Sequence, residues 1–133
     1  MSKQEQQLQK SERLTHSKPI QLLFEKGEEF YVFPFKIVWQ KIDRCDFPAK
    51  AMFVVPKRKF KNAVTRNFIR RIMKEAYRIN KQVLYGNLLN KDASVYLAFI
   101  YIGPEKNNSE TLQKPMLKVF KNISKSFNTD SDI

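Results

Sequence analysis

Between Asn62 and Lys81 the chain contains neither Gly nor Pro, and its side chains sort by helical period. At about 100° per residue, Val64, Phe68, Ile69, Ile72, Ala76 and Ile79 gather on one side, while Arg66, Arg70, Lys74 and Arg78 stand four apart on the other, flanked by Asn67 and Arg71. Such a helix must bury its apolar side against another layer, and its opposite side repels itself. Each pair of like charges four apart costs about 0.2–0.5 kcal/mol, and Glu75 is the one carboxylate within the segment. Basic faces on surface helices are often merely solvated. Here a polyanion is the more economical balance, because Arg66 to Arg78 forms a ladder about 18 Å long and guanidinium forks grip phosphate in two-pronged fashion.

The charge is local. Residues 57 to 81 hold ten basic residues (Lys57, Arg58, Lys59, Lys61, Arg66, Arg70, Arg71, Lys74, Arg78 and Lys81) against one acid, so +9 of the chain's net +12 sits in 25 consecutive residues. At 133 residues, 42% of them hydrophobic, the chain has the material for one core, which rules out most disordered classes and argues on size against a two-domain enzyme. Cys45 is the single cysteine, so neither an intrachain disulfide nor a thiolate zinc cluster can form, and a reducing compartment fits. The opening MSKQEQQLQKSERL lacks the apolar run of a secretory signal, and nowhere do about 18 apolar residues run together. The expectation is a cytoplasmic protein without a membrane partner: a flexible tail over 1–11, one domain over 12–127 and a flexible tail over 128–133.

Around the cationic helix the pattern alternates between helix and strand. Ser17, Lys18 and Pro19 open a short helix with Ile20, Leu23 and Phe24 as its apolar stripe, and Gly27 stops it. Residues 30–42 and 51–55 carry strand period and strand composition, and they are expected to pair antiparallel, with a possible extra short strand near 30–33. Residues 93–102, ASVYLAFIYI, are apolar on both faces, which suits a strand inside the sheet. A last helix is expected from near Pro115, with Met116, Val119, Phe120, Ile123 and Phe127 on one face. The result is an α/β (α+β) two-layer sandwich, a mixed central sheet with about three helices in the order αββ(β)αβα.

The run VPKRKFKNAVTRNFIRRIMKEAYR, residues 55–78, resembles the signature of the bacterial ribonuclease P protein subunit family. The matching elements are Ala63 and Val64, Arg66 and Asn67, Arg70 and Arg71, Lys74, and Arg78, and the SERL of residues 11–14, the first helix, Gly27 and the late strand fall where the family has them. The resemblance spans about residues 10–127. It implies a ribosomal protein S5 domain 2-like fold with a left-handed βαβ crossover, an exception to the usual right-handed rule. It also implies a subunit that binds a large catalytic RNA and assists removal of the 5′ leader from precursor transfer RNA, the RNA doing the chemistry.

By position, the resemblance implies that Arg66, Asn67, Arg70, Arg71, Lys74 and Arg78 meet the catalytic RNA, that Lys57, Arg58 and Lys61 approach leader or RNA phosphates, and that Phe24 lines the leader cleft. Phe68 stands where the family usually has a further Arg, Ile20 where it has an aromatic, and Phe60 and Lys61 replace a Gly in the basic loop. It implies no cofactor on the protein itself, Mg2+ at the RNA active site, and no obligatory protein partner.

Other chemistry finds little support. His16 is the single histidine and sits at a helix start, where a capping or solvent role is expected, and Asp43 and Asp46 lack the further carboxylates of a two-metal nuclease site. Three glycines make no phosphate-cradling loop. Of 17 aromatic residues most belong in the core, although Phe33, Phe35, Trp39 or Tyr101 could each offer a base-stacking platform. The alternative reading is a ribosomal or duplex-binding protein without enzymatic partnership; a membrane-surface helix is poorer, because the core needs the apolar face of residues 62–81.

Overall fold

A computed structural model describes residues 8–89, 91–104 and 108–131. Four strands, β1 (Glu28–Val32), β2 (Phe35–Asp43), β3 (Ala49–Val54) and β4 (Ala93–Tyr101), form one mixed sheet in the order β1-β2-β4-β3. Three helices accompany them: α1 (Ser17–Lys26), α2 (Ala63–Leu88) and α3 (Ser109–Ser131). β1 and β2 make an antiparallel hairpin from Glu28↔Trp39 to Val32↔Phe35, β2 and β4 run antiparallel, and β3 and β4 run parallel from Ala49↔Val95 to Val54↔Ile100. The parallel pair needs a long crossover, and α2 supplies it.

Two expectations about the sheet are corrected. The extra short strand near 30–33 is present as β1, but the segment 30–42 is not one continuous strand, because Phe33 and Pro34 form a turn that divides β1 from β2; Pro34 has no N–H to give a ladder. Nor do β2 and β3 pair. β4 lies between them and bonds to both, with Leu97 and Phe99 packed in the layer of α2 and α3 and Ala98 under Leu14 and Leu23 on the other face.

The helices are longer than the sequence pattern indicates. α2 runs on from Lys81 to Leu88, and its buried side consists of Ile69, Ile72, Met73, Ala76, Tyr77, Lys81, Leu84, Tyr85 and Leu88. Val64 and Ile79, expected on the buried side, are exposed, because the buried stripe is centred on Ile69, Met73, Tyr77 and Leu84, and Val64 and Ile79 fall on its far side. Asn62 starts the helix by accepting the Val64 N–H at 2.8 Å. α3 begins at Ser109 rather than near Pro115, since Asn108 accepts the Thr111 N–H at 2.8 Å and caps it, leaving Pro115 inside the helix. The side chain of Phe127 and residues 132–133 lie outside the described residues.

α2 and α3 cover one sheet face. Tyr77 sits at the middle of that layer, its ring edge-on to Phe53, Phe99 and Phe120 at 5.5, 5.8 and 5.7 Å between centroids. The other face carries a smaller cluster, Val38 and Ala98 under Leu14 and Leu23, with Ile20, Met52, Tyr96 and Ile100 half-buried around it. Gly27 permits this packing: the end of α1 approaches β2 so closely that a Cβ there would stand 2.9 Å from Val38 Cγ1 and collide with the Leu23 carbonyl.

Residues 8–11, grouped with the tail by the sequence pattern, lead into a 3-10 turn over Lys10–Glu12. Glu12 is 1% exposed. Its carboxylate takes Lys81 Nζ at 2.8 and 3.0 Å, the Tyr85 hydroxyl at 2.7 Å and the Gln9 N–H at 2.6 Å. Tyr77 and Tyr85 hydroxyls lie 3.1 Å apart, and burial pushes both phenols well above their ordinary pKa. From this anchor the chain continues along the edge of the sheet, where the Leu14 N–H donates to the Ala51 carbonyl at 2.9 Å.

Lys81→Ala strands the Glu12 carboxylate in the interior, and the expected loss of stability is about 3–5 kcal/mol. Combining Glu12→Leu with Lys81→Met should recover a substantial part of it. Chemical denaturation of the three proteins reads this directly, and a Lys81→Ala chain as stable as the unsubstituted one would contradict it.

Candidate nucleic-acid interface

Where β3 leaves the sheet, the chain turns through residues 55–62 before entering α2, and two of its cations are used to shape that turn. Arg66 reaches back from the first turn of α2 to donate to the Phe60 and Lys61 carbonyls at 2.7 and 2.8 Å. Lys59 Nζ donates to the Ile102 carbonyl at 2.7 Å, and the Phe60 ring packs 5.9 Å from Tyr101. With the turn held in this way, Lys57, Arg58 and Lys61 stand exposed on its outside. Arg66 is therefore not a purely outward residue, as the helical wheel suggests; it has a structural duty as well.

Along α2 the remaining cations are spread by their neighbours. Asn67 Oδ1 accepts from Arg70 Nη1 at 2.8 Å, the Arg71 guanidinium lies over the Phe68 ring at 5.5 Å, and Arg78 pairs with Glu75 at 3.2 Å. Phe68 is half-buried against the core, so it contributes packing and a shelf for Arg71. Lys74 sits among these groups with its pKa below the ordinary lysine value, first because it is partly buried and then because Arg13 and Arg70 repel its charge. A phosphate entering here would relieve that repulsion.

Arg13 is the residue the sequence pattern does not single out. It joins Leu8, Arg71, Lys74, Glu75 and Arg78 in lining a shallow groove on the outer side of α2. Its signal is its position directly after Glu12, whose burial sets where the next side chain emerges. Lys81, counted among the ten cations of the segment, leaves the interface altogether for the core.

The sheet face opposite α2 and α3 is the open one. Val38 and Lys36 belong to it, while Phe35 and Trp39 point into the helical layer and are buried. α1 covers this face in part through Leu23 and Ile20, while Phe24 and Leu22 on the same helix are 45% and 46% exposed. Beside the cluster Met52, Tyr96 and Ile100 are half-buried, and Lys36 and Lys50 pair with Glu29 and Asp46, each at 3.5 Å. Of the four aromatics considered as platforms, Phe35, Trp39 and Tyr101 are in the core and Phe33 is exposed. Phe24 thus belongs to a different layer from the α2 cations. His16 is at the N-cap of α1, exposed, and its side chain makes no capping bond.

Among the described residues, no three His, Cys, Asp or Glu side chains come together as metal ligands, and no helix is long and apolar enough to cross a membrane. The geometry offers cations and a partly exposed apolar sheet face, which suit binding.

The family model described as Ribonuclease P matches residues 8–124. The chain is 33% identical over 112 residues to the ribonuclease P protein component of Porphyromonas gingivalis, covering 84% of this chain and 82% of the relative. It is 31% identical over 127 residues to that of Chlorobium phaeobacteroides, covering 87% of each. Its fold is similar to the RNase P protein from Thermotoga maritima (TM-score 0.66, 22% identity, 84% of this chain and 96% of that one). It is likewise similar to the Staphylococcus aureus RNase P protein (TM-score 0.62, 18% identity, 86% and 96%).

Because Arg66 satisfies two carbonyls of the turn, Arg66→Ala should lower stability by about 1–3 kcal/mol, whereas Arg58→Ala on the exposed turn should change it by less than about 0.5 kcal/mol. Thermal melts of the two variants test the distinction; equal melting temperatures would remove the structural duty assigned to Arg66.

Proposed function

This chain belongs to the ribonuclease P protein family, and from that premise we propose how its residues serve the enzyme. It is the protein subunit of a ribonucleoprotein endoribonuclease that matures the 5′ end of transfer RNA, and catalysis is carried by the RNA. It works with the ribonuclease P RNA and with precursor transfer RNA.

In this reading Arg70, Arg71, Lys74 and Arg78, with Arg66 and Asn67 at the head of the helix, hold the catalytic RNA. The observation that carries it is the cation cluster on the outer side of α2, where Lys74 is held below its ordinary pKa beside Arg13 and Arg70. Crowded cations are stabilised by a polyanion and by little else. Lys57, Arg58 and Lys61 extend the cationic surface toward the end of the sheet, and Phe24 lines the cleft under α1 that takes the single-stranded leader. The chain binds no cofactor; Mg2+ acts at the RNA active site, and the protein favours its occupancy by reducing repulsion between two RNAs. We assign the reaction to the cytoplasm, where precursor transfer RNA is made.

With roughly four to six phosphates neutralised, affinity for the catalytic RNA should fall with salt at a log-log slope of about −3 to −5. Arg70→Ala combined with Arg71→Ala should weaken binding by at least about tenfold and flatten that slope by about 1–2, with little change in stability. Filter binding at several salt concentrations reads both quantities, and a flat salt dependence would overturn the assignment of these residues. Leader removal at low magnesium, with and without the protein, tests the function itself: the protein should accelerate cleavage and be inactive without the RNA.

A further inference from the structure

The turn between β1 and β2 holds an aromatic side chain in water that the core does not account for. Phe33 is 67% exposed, whereas Phe35 and Tyr101, on strands of the same sheet, are wholly buried. Beside Phe33 runs a groove between the hairpin and α3, lined on the helix side by Lys114, Pro115, Leu117, Lys118, Lys121 and Lys125. A second groove shares Leu117, Lys121 and Lys125 and continues to Gly86, Asn87 and Lys91 at the far end of α2. Apart from its neighbours and the backbone of its own helix, nothing lies within 4 Å of where a Gly86 Cβ would stand, so that wall is open.

The four lysines of α3 are spaced 4, 3 and 4 residues apart, which puts them on one helix face over about 16 Å. The acids of this helix, Glu110 and Asp130, lie at its two ends. The net charge of the chain conceals this row, because outside residues 57–81 the 15 basic residues are nearly matched by 12 acidic ones.

We propose that Phe33 and the lysine face of α3 form a second binding site, for single-stranded RNA, separate from the α2 cations and from the α1 cleft. The chemistry selects this partner. An exposed ring stacks on an unpaired base, worth about 1–3 kcal/mol, and has no purchase on a paired one, while a row of lysines follows a phosphate backbone without reading sequence. Exposed Leu117 within the row adds an apolar surface for a base or ribose. The inference rests on the family reading to the extent that the chain then works surrounded by RNA.

The test uses enzyme reconstituted from the full chain and ribonuclease P RNA, irradiated with a thiouridine-containing hexauridylate, with adducts located by mass spectrometry. An adduct in tryptic peptide 27–36 is expected. It should be lost in a chain carrying Phe33→Ala, Lys118→Glu and Lys121→Glu, which should bind the oligonucleotide at least about fivefold more weakly than a charge control, Lys41→Glu with Arg44→Glu, at the other end of β2. Adducts confined to peptides of α1 and α2, or equal weakening in the charge control, would overturn the site. Leader removal by the unsubstituted chain is measured in the same samples. Its failure would count against the proposed function, whereas the position of the adduct reads the second site alone.

Discussion

Where the N-terminal segment lies is decided by one buried carboxylate. Glu12 is removed from water along with Lys81, and charges so placed are tolerable when their partners are complete, as they are here: an ammonium on both oxygens, a phenol and a backbone N–H. The arrangement ties a segment early in the chain to the middle of α2, sixty-nine residues later. It also orients the backbone so that Leu14 joins the edge of β3 and Arg13 emerges beside Lys74. The cation cluster on α2 is completed by a residue from another part of the chain, and its position follows from the core.

The same helix meets two opposed demands. Its inner side needs Ile69, Met73, Tyr77 and Leu84 for a core that a small domain cannot otherwise fill, and its outer side concentrates like charge. Asn67 and Phe68 supply a hydrogen bond and a ring to two arginines, and Glu75 supplies one counter-charge. These contacts order the cations without neutralising most of them. A surface that kept its counter-charges close would be more stable alone and less ready to take up phosphate.

Much of this was legible in the sequence. The cationic side of α2, the turn residues Lys57, Arg58 and Lys61, and the strand at 93–101 follow from period and composition, because each depends on local order alone. What was not legible depends on distant partners. Lys81 reads as one more surface cation, and nothing local says that Glu12 will meet it. The pairing of β2 with β4 rather than β3 is a matter of topology, to which alternation is blind. Pro115 reads as a helix start because Pro is common there, and the capping Asn108 overrides that rule. Arg66 and Arg70 are neighbours on the same ladder, yet one holds a turn and the other is held by Asn67.

The central position of β4 has a consequence for how the chain comes to be folded at all. β4 is the last strand in the sequence, and both β2 and β3 depend on it for hydrogen bonds across the middle of the sheet. During synthesis, the hairpin, β3 and the whole of α2 are made before the strand that joins them exists. Their apolar sides and the cationic side of α2 then share an unfinished chain in a cell rich in RNA, so closure of the sheet is a late event, set by long-range contacts rather than by helix formation. Completion of the sheet is then the step that separates a merely sticky polycation from a shaped RNA partner.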